Sequence, residues 1–154
     1  MDLASILKPE AIRVVGHVTS KKRLFQDLGE LAASAYSVCP SDSFDALQER
    51  ESLGPTGVGH GVALPHARLK GLDHVRGVFM RLEKPLAFNS VDRQPVDLVF
   101  ALFAPQEAGV EHLKSLALVS RTMRDPGICT KLRSNSSPST LYAILTQGPT
   151  SQAA

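Results

Sequence analysis

The sequence predicts an α/β fold in which helices cover a sheet. Three observations lead there. Short apolar runs at 62–64, 77–82 and 96–103 fill the middle of the chain, and their length and composition suit strands. Apolar residues recur at helical spacing before this block, at Leu24, Leu28, Leu31 and Ala35, and again after it, at Leu113, Leu116, Val119 and Met123. Helices on both sides of a strand block are the signature of a layered α/β domain.

Each element follows from local chemistry. Residues 1–11 read as a short helical turn leading into an extended piece at 12–15. Thr19 and Ser20 are N-cap candidates for a helix over about 20–37. Pro40 and Ser41, Asp42 and Ser43 restart the chain with cap chemistry. Phe44, Leu47 and Glu51 mark a second helix that ends near Leu53, stopped by Gly54 and Pro55. Residues 92–95 form a turn before the last strand, which Pro105 ends. A helix over about 110–125 is broken at Asp125, Pro126 and Gly127, and a short helix follows at 127–134. Ser137 and Pro138 open a final helix. Gly148 and Pro149 end it, leaving 148–154 as a loose tail. The expected organisation is one domain, 1–147.

Bulk properties narrow the function. A length of 154 residues suits one domain, and 43% apolar with 21% charged residues is an ordinary globular balance. The net charge of +2 is too mild to imply nucleic acid or an anionic membrane. Lys21, Lys22 and Arg23 read as a solvated first helical turn, with docking to an acidic partner as the alternative. No apolar run approaches the roughly 18 residues of a membrane span, and the start of the chain lacks the pattern of a secretion signal. Two cysteines, Cys39 and Cys129, fit a reduced, cytoplasmic setting in which both are buried as small hydrophobes.

The chemistry concentrates in residues 56–68. Gly57, Gly59 and Gly61 permit tight backbone folding and leave amides uncovered beside Thr56 and His60, as an anion site requires. The spacing is neither a Walker loop nor a dinucleotide fingerprint. His66 follows Pro65 directly, at the end of a strand, and that stiff backbone aims its side chain. Neutral imidazole is a nucleophile, and the usual histidine pKa near 6.5 allows it; a hydrogen-bonded histidine at a strand end is the alternative. His112 falls in the first turn of a helix, on its inward face, where a neutral ring can donate to an anion; a capping or buried polar role is its alternative. Arg50 precedes the glycine segment, and a guanidinium fork meets two phosphoryl oxygens at once; it can equally complement a helix C-terminus. Arg68 is placed to act from the other side of His66, or to be exposed. His60 and His74 complete a loose cluster with His66 and His112, but the spacing fits no standard metal motif and no metal is expected. His17 reads as a surface residue.

The segment from Arg50 to Arg68, Gln94 to Pro105, and His112 with Leu113 together resemble the IIA proteins of the phosphotransferase system, fructose/mannitol type, over about residues 3–147. Ser20-Lys21-Lys22-Arg23 and Arg50-Glu51-Ser52-Leu53-Gly54 point within that family to its nitrogen-regulatory branch. The resemblance implies a mixed parallel and antiparallel sheet of about five strands sandwiched between helices. It implies that His66 Nε2 accepts a phosphoryl group from a phosphorylated HPr or NPr carrier, with His112 and Arg50 supporting it, and that no cofactor is needed. It also implies regulatory target proteins such as a potassium transporter or a sensor kinase. A sugar-branch component feeding a permease, and a binding module that transfers nothing, are the alternatives. His60 and Pro55 depart from the branch's usual residues, asparagine-like and serine respectively.

Overall fold

The computed structural model describes residues 2–147; the expected helix stop at 148–149 and the tail lie outside them. A 3-10 turn, Leu3–Ser5, leads into strand β1, Leu7–Val15, so the strand starts well before residue 12. Helix α1, Lys21–Tyr36, begins where Ser20, extended in backbone, accepts a hydrogen bond from the Arg23 amide. That bond satisfies one of the amides orphaned at a helix start. Helix α2, Pro40–Ser52, also starts earlier than expected. Pro40 takes the first helical position, where a missing N–H costs nothing, and Cys39 caps without a side-chain bond. Cys39 is therefore exposed, against expectation, while Cys129 is buried.

Among the described residues six strands make the sheet: β1, β2 (Gly57–Gly59), β3 (Val62–Ala63), β4 (His66–Leu69), β5 (Arg76–Leu86) and β6 (Val96–Pro105). Their order is β1-β5-β6-β3-β2, with β4 also paired to β6. β1 runs parallel to β5, β5 antiparallel to β6, and β3 and β4 both parallel to β6. Val62 and Ala63 face Leu98 and Val99, and the ladder resumes with His66 opposite Leu102. Between them lies Pro65, which has no N–H to give; its carbonyl still accepts from the Leu102 amide at 2.9 Å. Six strands thus occupy five positions, one of them split by a proline just ahead of His66. Between Leu7 and Ile12 the β1 register slips against β5.

The remaining helices are α3 (Val110–Met123), α4 (Pro126–Arg133) and α5 (Pro138–Gln147). Helix α1 packs on β1 and β5, and α2 packs on α1 and β4. On the far side α5 packs on β1, α3 meets β6, and α4 bridges α3 and α5. Strand β6 is buried without interruption from Leu98 to Ala104, as a strand covered on both faces must be. The Tyr36 hydroxyl joins the layers, accepting from the Lys8 amide and donating to the Gly77 carbonyl at 2.7 Å. In α3 the expected inner face is shifted: Val119 and Met123 are buried, Leu116 is half-buried, and Leu113 is 69% exposed. Among the described residues no helix is long and apolar enough to cross a membrane.

Candidate functional site

His66 opens β4, held between the split in the sheet and the end of α2. Its Nδ1 lies 2.9 Å from the Leu64 carbonyl oxygen. A carbonyl only accepts, so the neutral ring carries its hydrogen on Nδ1 and keeps a bare lone pair on Nε2. Burial is the largest influence on its pKa and pushes it below 6.5, and the Arg50 charge adds to that. The Leu64 hydrogen bond and Glu51 pull the other way and do not prevail. The ring is therefore neutral at neutral pH, with a nucleophilic nitrogen.

His112 comes from the first turn of α3, where the helix dipole disfavours a cationic ring. The two imidazoles meet edge to face with centroids 5.8 Å apart. Burial, then His66, then Arg68 press the His112 pKa down. Its Nε2 is buried and has no hydrogen-bond partner among the described residues, a costly condition that calls for a reason. Arg50, in the last turn of α2, donates from one guanidinium nitrogen to the Gly54 carbonyl at 2.9 Å. One such bond leaves most of its five donors uncommitted. His66, His112, Arg50 and Arg68 line one open cleft of about 330 Å³, together with Ala46, Glu49, Leu53 and Ala67. Arg68 is exposed and donates to the Gln106 carbonyl at 2.8 Å.

The glycine segment goes elsewhere. None of Thr56, Gly57, Gly59, His60 and Gly61 lines the His66 cleft. Residues 57–63 form a hairpin of β2 and β3, with Gly57 opposite Ala63 and Gly59 opposite Val62. Thr56 N and Oγ1 donate to the Glu51 carboxylate, the latter at 2.6 Å. His60, left-handed with φ 57°, donates its amide to Asp92 at 2.9 Å, and its carbonyl accepts from Arg133 at 2.8 Å. A Cβ on Gly57 would stand 2.2 Å from Ser90 Oγ, and one on Gly61 2.5 Å from an Arg133 nitrogen. The glycines allow close packing of the hairpin against Ser90, Asp92 and Arg133. His74 sits beside Asp73, apart from the cleft. Among the described residues no group of three or more His, Cys, Asp or Glu is placed to hold a metal ion.

Neither Glu51 nor the Arg133–Asp97 pair is given a site role by the sequence. Glu51 anchors Thr56 and pairs with Lys21 at 2.9 Å; its place next to Arg50 was the only signal. The Arg133–Asp97 fork, at 2.9 Å, brings residues 36 apart together and left no local signal.

Residues 5–148 match the family described as phosphoenolpyruvate-dependent sugar phosphotransferase system, EIIA 2. The chain belongs to that family. A nitrogen regulatory protein of Bradyrhizobium diazoefficiens is 42% identical over 99% of this chain and 100% of its own length. One of Escherichia coli is 43% identical over 95% of this chain and 90% of its own. The crystal structure of nitrogen regulatory protein IIA-Ntr from Neisseria meningitidis superposes with a TM-score of 0.87 at 38% identity, covering 94% of this chain and 99% of that one. The mixed sheet with helices on both faces is the fold this chain shares with it.

Proposed function

We propose that this chain is a histidine phosphocarrier of the nitrogen-regulatory kind, taking a phosphoryl group on His66 Nε2 from a phosphorylated HPr- or NPr-type carrier. The observation that carries this is the Leu64 hydrogen bond to Nδ1. It reserves Nε2 as the nucleophile in a cleft shared with His112 and Arg50. Membership of a phosphotransferase family and the names of the relatives support it.

The transfer balances without a proton leaving the site. The Nε2 lone pair of neutral His66 attacks the phosphorus of a donor phosphohistidine that is protonated on its other ring nitrogen. The donor P–N bond breaks as the new one forms, and the donor imidazole departs neutral. The His66 ring gains positive charge, and its Nδ1–H donates more strongly to the Leu64 carbonyl. Arg50 takes phosphoryl oxygens on its free donors, and His112 Nε2 gains a partner there. Positioning and charge stabilisation account for the catalysis such a transfer needs. The mark adds negative charge to an exposed cleft rimmed by Leu53. Regulatory targets, a transporter or a sensor kinase among them, then read that charge electrostatically.

Intact-mass spectrometry after incubation with a phosphorylated HPr-type carrier tests this. Wild type gains one phosphoryl group and His66→Ala gains none. A gain in both proteins would move the acceptor elsewhere, and a gain in neither would leave a binding module that transfers nothing. A sugar-branch role feeding a permease is the second reading, favoured by 30% identity to a fructose-specific EIIA component of Haloferax volcanii.

A further inference from the structure

An unbroken set of hydrogen bonds runs from Glu51 to the His66 ring. Lys21 at the start of α1 lies 4.2 Å from the centroid of the Phe88 ring and pairs with Glu51 Oε2 at 2.9 Å. The same carboxylate accepts from Thr56 N at 3.1 Å and from Thr56 Oγ1 at 2.6 Å. The Thr56 carbonyl accepts from the Leu64 amide at 2.9 Å, and the Leu64 carbonyl accepts from His66 Nδ1. Thr56 and Leu64 are each 5% exposed, so water does not readily replace these links.

We propose that Glu51 is a positioning residue for His66, acting through Thr56 and Leu64 on the tautomer and direction of the imidazole. The inference rests on His66 being the phosphoryl acceptor. Leu64 and Pro65 are held from two sides, by Thr56 and by the Leu102 amide. The proline leaves that stretch little freedom of its own. Removing the carboxylate releases the Thr56 side and lets the Leu64 carbonyl turn. That carbonyl selects the Nδ1–H tautomer, so its movement frees the hydrogen to reside on Nε2 and removes the nucleophilic lone pair. Partnered hydrogen bonds in a buried chain polarise one another, which strengthens the coupling. A displacement of about 1 Å at a reacting group costs on the order of 10²-fold in rate.

Nitrogen-15 NMR of the His66 ring at neutral pH reads the tautomer directly, and the rate of phosphoryl gain reads the consequence. The wild type shows Nδ1–H. Glu51→Ala shows mixed tautomers and accepts phosphoryl roughly 10²-fold more slowly. Glu51→Gln keeps an oxygen for Thr56 and restores the tautomer and most of the rate. A Glu51→Ala protein with an unaltered ring signature overturns the proposal, as does a Gln variant as impaired as the Ala variant. Should Glu51→Ala not fold, Thr56→Val removes the shortest link alone; a partial shift toward Nε2–H supports the proposal and no shift overturns it. The ring signature needs no donor. Tautomer loss in a chain that never accepts phosphoryl would count against the carrier reading alone, and normal tautomer with slow transfer against the Glu51 role alone.

Discussion

Replacing His112 by leucine separates stability from transfer. In the free protein His112 Nε2 is buried with no partner among the described residues. Such a group costs about 1–3 kcal/mol of desolvation that an apolar side chain of similar size does not incur. Leucine keeps much of the contact with the His66 ring, whose centroid is 5.8 Å away, and its smaller volume gives back part of the gain. The free variant should therefore unfold in urea at or above the wild-type midpoint. On the phosphorylated side the sign reverses. A hydrogen bond to a charged group contributes about 1.5–3 kcal/mol, which corresponds to a roughly 10- to 150-fold slower transfer. Quench-flow measurement of phosphoryl gain from a phosphorylated carrier checks the rate, and equilibrium unfolding of the free protein checks the stability. Transfer within twofold of wild type would remove His112 from the site. A midpoint that drops together with the rate would mean that His112 supports the fold and that slow transfer is a by-product.

Protonation of His66 should stop transfer, and because burial first and Arg50 after it hold its pKa below 6.5, the rate should be flat above that pH and fall only below it. A half-maximal rate above pH 6.5 would contradict the burial argument. The same depression makes stability pH-dependent. The unfolded chain takes up protons first as pH falls, so stability present above 6.5 is lost as pH drops through the lower folded-state values of His66 and His112; urea midpoints in wild type and His66→Ala should show a shallower slope in the variant. Tyr36→Phe removes the hydroxyl shared by the Lys8 amide and the Gly77 carbonyl and should cost about 1–3 kcal/mol in thermal unfolding; no change would mean that water serves both groups. Arg133→Ala cuts the fork to Asp97 and the bond to the His60 carbonyl. With the pair 36% and 21% exposed, the loss of stability should be only about 1 kcal/mol. Phosphoryl gain at His66 should be unaffected, and a large loss there would return the glycine hairpin to the site.

Where local chemistry decides conformation, the sequence was legible. Ser20 capped α1 as its hydroxyl demands, and the apolar run through Leu98 and Ala104 became the buried central strand. The proline before His66 announced a stiff junction, although His66 starts a strand and does not end one. What the sequence concealed was long-range partnership. Three alternating glycines declare backbone freedom but not its use, and Ser90, Asp92 and Arg133 decide that use from elsewhere in the chain. Cys39 looked apolar enough to bury, yet the helix that starts at Pro40 leaves it outside. His66, His112 and Arg50 were singled out one by one on chemistry; their common cleft is a product of the fold. Leu113 followed the helical period and still faces solvent, while Val119 and Met123 lie on the buried face of α3.

The register slip in β1 bears on how this chain behaves at high concentration. β1 is the outer strand on one side of the sheet, and an open strand edge is a template for joining copies end to end. Here the edge is interrupted by the slip between Leu7 and Ile12, with exposed Lys8, Pro9 and Glu10 inside it. The proline cannot donate, and the two charges resist burial against another copy. The opposite edge is β2, only three residues long and tied back through Gly57 and His60. Both borders of the sheet thus discourage fibre-like growth, and the cleft beside His66 stays open to solvent without the chain's own strands recruiting one another.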